Sequence, residues 1–60
     1  METIDQFKQR ISQLPKDEII KARGELFTLL DLAFKMRKVV GVGIYNDIFA
    51  KYMICVDLTV

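Results

Sequence analysis

Between Ile19 and Val40, apolar residues recur in alternating steps of three and four: Ile19, Ala22, Leu26, Leu29, Ala33, Met36 and Val40. No other feature constrains the fold as tightly, because this spacing is the seam of an amphipathic helix. A second apolar stripe, Phe27, Leu30 and Phe34, runs beside it between Arg23 and Arg37. Asp17, Lys21, Thr28, Asp31, Lys35 and Lys38 fill the opposite side, with Gly24 among them. Asp17 and Glu18 at the start and Lys35, Arg37 and Lys38 at the end both suit the helix dipole. The spacing predicts a helix over 16–38, about 34 Å long. Asp17 with Lys21 and Asp31 with Lys35 are favourable i,i+4 pairs on its wet side. Gly24 sits mid-helix at a cost of ~1 kcal/mol relative to alanine. It is read as tolerated, against a kink or a close backbone approach.

A shorter helix is expected first, over 4–14. Thr3-Ile4-Asp5-Gln6 has the form of a capping box, and Asp5 stands in the first turn. Ile4, Phe7, Ile11 and Leu14 form one narrow stripe. Pro15 disfavours helix at Leu14 and suits the start of the next one, so Leu14-Pro15 reads as a joint between two helices. Folded back, a helix about 15 Å long covers only half of one stripe on its longer neighbour.

The last third, 39–60, reads as a β-hairpin. Val40, Val42 and Ile44 alternate with glycines, and Tyr52, Ile54, Val56, Leu58 and Val60 alternate with other residues. Asn46-Asp47 between them is turn chemistry. A loop one residue longer than two aligns Val40, Val42 and Ile44 with Ala50, Tyr52 and Ile54, which keeps one face apolar. The rival is a third helix from Asn46 to about Cys55, capped by Asn46, with Tyr45, Ile48, Phe49, Tyr52 and Val56 on one face. The expected fold is therefore α+β, a short and a long helix as an antiparallel hairpin followed by a β-hairpin. All-α with three helices is the alternative.

Size then becomes decisive. A 60-residue chain buries only ~60% of the surface its unfolded form exposes, and such small domains are usually stapled by disulfides, metal or oligomerisation. Cys55 is the single cysteine and there is no histidine, so neither an internal disulfide nor a Cys/His zinc set can form. Yet 52% of residues are apolar. The expectation is an obligate oligomer, a homodimer or larger, of one domain spanning 1–60. Its self-interface is assigned to Leu26, Phe27, Leu29, Leu30, Ala33, Phe34 and Met36. Arg23, Arg37, Tyr45 and Tyr52 are the residues expected to meet an outside protein partner, the tyrosines because a polar tip suits an interface rim.

No catalytic set is visible. Cys55 lacks the usual histidine base and reads as a core residue. Ser12 cannot anchor a triad without histidine. Gly41-Val42-Gly43 lacks the third glycine and the lysine of phosphate-binding loops and reads as a hinge or strand. Asp5, Asp17, Asp31, Asp47 and Asp57 are scattered, unlike a calcium loop. No enzyme, cofactor or metal is therefore expected. The apolar run over 39–60 is broken by Asn46, Asp47, Lys51 and Asp57, which argues against a membrane span. The early charges argue against a signal peptide, and the lone cysteine fits a reducing, cytoplasmic setting. The function expected is a small homo-oligomeric protein–protein interaction module, an adaptor or inhibitor. One alternative is a dimeric nucleic-acid-binding regulator using Lys35, Arg37 and Lys38, although the net charge of only +1 speaks against it. Another is a peripheral membrane or small-ligand protein using 39–60.

Overall fold

Thr3 starts the fold as expected. The Gln6 amide donates to Thr3 Oγ1 at 3.1 Å, and the Thr3 amide donates to Gln6 Oε1 at 2.9 Å. This reciprocal cap opens the first helix, α1, Ile4–Ser12. The computed structural model describes residues 2–60. Arg10 braces the same end with two donated bonds to Glu2, Nε to Oε2 at 2.8 Å and Nη2 to Oε1 at 3.1 Å. Those bonds hold the Glu2 carboxyl below its ordinary value.

Pro15 is extended, at φ −59° and ψ 153°, and caps α2, Lys16–Lys35. Its carbonyl accepts the Ile19 amide at 3.1 Å, so the proline starts the second helix while it stops the first. Asp31 and Lys35 pair at 3.1 Å on the exposed side. The long helix ends earlier than its pattern implied, because Met36 leaves helical geometry at φ −106° and ψ 19°. One further turn, α3, Arg37–Val40, follows. Gly41 then takes φ 88° and ψ 160°, a conformation open almost only to glycine, and α4 runs over Val42–Thr59.

The C-terminal β-hairpin, and with it the α+β class, is overturned. Residues 42–59 are helical, and there is no strand among the described residues. The all-α alternative fits, although the helix begins four residues before Asn46, which lies in its interior. The physical reason is burial. A lone hairpin leaves edge groups unpaired and is marginal in water. A helix satisfies its own backbone and places Ile48, Tyr52, Cys55 and Thr59 on one face by 3-4 spacing. Asp47 and Lys51, read as turn and strand, become an i,i+4 ion pair at 3.1 Å.

α4 lies antiparallel along α2. Arg23 donates to Thr59 Oγ1 at 2.9 Å, Phe27 faces Tyr52 at 5.9 Å between ring centroids, and Phe34 faces Tyr45 at 6.1 Å. α1 rests more closely on α4 than on α2. The main hairpin is thus α2 with α4 rather than α1 with α2. The buried core, Phe7, Ile11, Ile19 and Cys55, gathers where α1 meets both partners, with Ala22, Leu26 and Ile54 packed against it. Ala33 is buried farther along α2. Each large core side chain contributes about 1.5–3 kcal/mol of burial, and there are few of them.

Candidate interaction surface

Two surfaces arise from the way α2 divides its apolar arc. The seam side faces α1. There Phe7, Ile11, Leu14, Ala22, Leu26 and Leu29 line an open groove of about 350 Å³, rimmed by Arg10, Glu18, Lys21 and Glu25. α1 is too short to follow α2 to its end, which leaves Leu29, Leu32 and Met36 exposed beyond it.

The other stripe meets α4, but only by its flank. Phe27 and Phe34 touch Tyr52 and Tyr45, yet Phe27 remains 58% exposed and Phe34 52%. Tyr45 in turn stacks on Phe49 at 6.3 Å, with the ring planes 22° apart. The Arg37 guanidinium covers the Phe34 ring at 4.5 Å and donates to the Phe34 carbonyl at 2.9 Å. The result is a ladder of two ring groups on one side of the hairpin, Phe27 with Tyr52 at one end and Phe34 with Tyr45 and Phe49 toward the other. The second group borders a small apolar recess of about 110 Å³ between Phe34, Arg37, Val42 and Tyr45.

This side lies away from α1. At about 100° per residue, Phe27 stands about 140° round α2 from Ala22, and Phe49 about 140° round α4 from Ile54. Ala22 and Ile54 both pack on the core.

The residues assigned to a self-interface therefore separate. Ala33 is buried, and Leu26 and Leu30 are half-buried. Leu29 and Met36 stay exposed on the groove side, while Phe27 and Phe34 stay exposed on the ring side. The residues assigned to an outside partner separate too. Tyr45 and Tyr52 join the ring ladder. Arg37 caps one end of it. Arg23 is drawn inward to Thr59, whose hydroxyl donates to the Cys55 carbonyl at 2.8 Å. Val42 and Met53, which sequence reasoning did not place on a shared face, and Phe49, which it placed with Tyr45 and Tyr52 only in the alternative third helix, complete the exposed face on α4. The signal for Val42 and Phe49 was present in the 3-4 spacing of Val42, Tyr45, Phe49, Tyr52 and Val56.

Cys55 is fully buried, and burial pushes its thiol above the ordinary value while nearby Arg23 acts the other way. The basic cluster at the junction of α2 and α3 is partly engaged within the chain, Lys35 with Asp31 and Arg37 with Phe34. Among the described residues no group of three acidic or cysteine side chains is placed to hold a metal ion. Among the described residues no helix is long and apolar enough to cross a membrane. No protein-family model matches the chain, and neither a curated protein nor a solved structure is similar to it.

Proposed function

We propose that this chain is a non-enzymatic protein–protein interaction module, an adaptor or inhibitor whose fold is completed by docking against another chain. One observation carries the reading. Among the described residues five apolar side chains are buried, while fourteen large ones are more than a third exposed. Scattered exposed apolar residues are ordinary, but a contiguous set of them marks an interaction surface. Here two ring groups, Phe27 with Tyr52 and Phe34 with Tyr45 and Phe49, lie along one side of the α2–α4 hairpin.

The test is retention of protein by the tagged full chain at cellular concentration, compared with a Phe49→Asp variant. Proteins retained by the first and lost by the second support the reading. Nothing retained above background, further copies of the chain included, refutes it.

A further inference from the structure

Five of the six aromatic residues lie on the ring side of the α2–α4 hairpin, and only Phe7 serves the core. That allocation is unusual for a chain so short of core, since aromatic rings carry the largest burial per residue. It is the composition expected of an interface, where phenylalanine and tyrosine are enriched.

The areas say how large a partner surface is missing. A compact 7.0 kDa monomer should expose about 4,000 Å². This chain exposes 4533 Å². With Phe27, Phe34 and Phe49 each about half exposed, and Ile20, Val42 and Met53 beside them, the ring side leaves on the order of 600 Å² of apolar surface open. A standard interface takes about 800 Å² from each partner, polar rim included. The open face is therefore about the size that one two-helix partner would cover.

We propose that the ring face of α2 and α4 docks a second copy of this chain, the two hairpins closing into a four-helix bundle. The proposal rests on the reading of the chain as an interaction module and names its occupant. Three features favour a copy over a foreign chain. A two-helix face needs a two-helix face opposite it to make a bundle core, and this chain supplies one. A two-fold pairing uses the same patch twice, so the surface missing from one copy is the surface missing from the other. With a net charge of +1, one copy scarcely repels the next. α1 stands on the far side and does not obstruct the approach.

The experiment is sedimentation of the full chain over a dilution series, with far-UV circular dichroism on the same samples. Phe49→Asp and Phe27→Lys mark the ring face. Leu32→Asp is the control, because Leu32 is 52% exposed yet stands about 140° round α2 from Phe27. The expected result is a wild-type mass near twice 7.0 kDa, kept by Leu32→Asp. The ring-face variants should weaken association at least about 1,000-fold, since each dimer loses the side chain twice. A helical wild type of single-chain mass at about 100 µM overturns the proposal. It leaves the interaction reading standing if the tagged chain still retains a foreign protein. A dimer that survives both ring-face variants but not Leu32→Asp also overturns it, by placing the contact on the groove side. Should both ring-face variants lose helicity, the wild type decides: helicity lost on dilution together with mass supports the pairing, and helicity independent of concentration overturns it.

Discussion

Gly24 and Gly41 allow one substitution to be made twice with opposite results. A Cβ built on either meets nothing within 4 Å, so alanine adds no clash at either site. What differs is the backbone. Gly24 lies inside α2. Alanine there recovers the helix propensity that glycine forfeits, and Gly24→Ala should stabilise the protein by about 1 kcal/mol. Gly41 holds φ 88° and ψ 160° between α3 and α4, a region that costs an L-residue roughly 1–3 kcal/mol. Gly41→Ala should destabilise by about that much. The gap between the two variants is thus about 2–4 kcal/mol. A domain of this size holds only about 3–5 kcal/mol in total, so the gap is most of its stability. Urea titration followed by far-UV circular dichroism measures both. One protomer concentration must be used throughout, because association shifts apparent stability. The slopes must also agree for the midpoints to be compared. Chemical synthesis adds a sharper arm: D-alanine at position 41 favours positive φ and should restore what L-alanine loses. Gly41→Ala within about 0.5 kcal/mol of wild type would refute the reasoning, since surface changes without strain fall in that range.

Other predictions follow from the ends of the fold. Thr3→Ala removes the Oγ1 that accepts the Gln6 amide, one half of the α1 cap, and should cost about 1 kcal/mol, read as a lower urea midpoint; Thr3→Ser should keep most of it. Cys55 should react with a thiol reagent only as fast as the protein opens, and an immediate stoichiometric reaction in native buffer would place it at the surface instead. Its raised folded-state pKa gives a contribution that is full below the ordinary thiol value of about 8.5 and is lost as pH rises toward the folded value. Between about pH 8 and 10 the wild-type midpoint should therefore fall more steeply than that of Cys55→Ala, and parallel slopes would contradict it.

What could be read from the residues was mostly local. The Thr3–Gln6 cap, the Leu14-Pro15 joint and the Asp31–Lys35 pair each depend on neighbours within four positions, and each stands in the structure. The last third was misread because its β-branched residues and glycines satisfy strand spacing as well as helix spacing. Only contact with α2, set by residues some twenty to thirty-five positions away, chose between them. Phe27 to Tyr52 and Arg23 to Thr59 are contacts of that kind. The same blindness blurred the surface. The stripe of Phe27, Leu30 and Phe34 was assigned to a second chain. The sequence did not show that α4 would take part of that place and bring Phe49 alongside. The early end of α2 at Met36 has no sequence signal that we can identify.

The core also has an order in time. Helical proteins usually fold quickly because their contacts join neighbours along the chain. Here Phe7 and Ile11 close on Cys55, with more than forty of the 60 residues between them. During synthesis α1 and α2 emerge well before the helix that covers them. Through that interval Ile11, Ile19 and the rings of α2 have no native shelter. The nascent chain is thus most adhesive until α4 has emerged, and its protection in the cell depends on how soon that helix arrives.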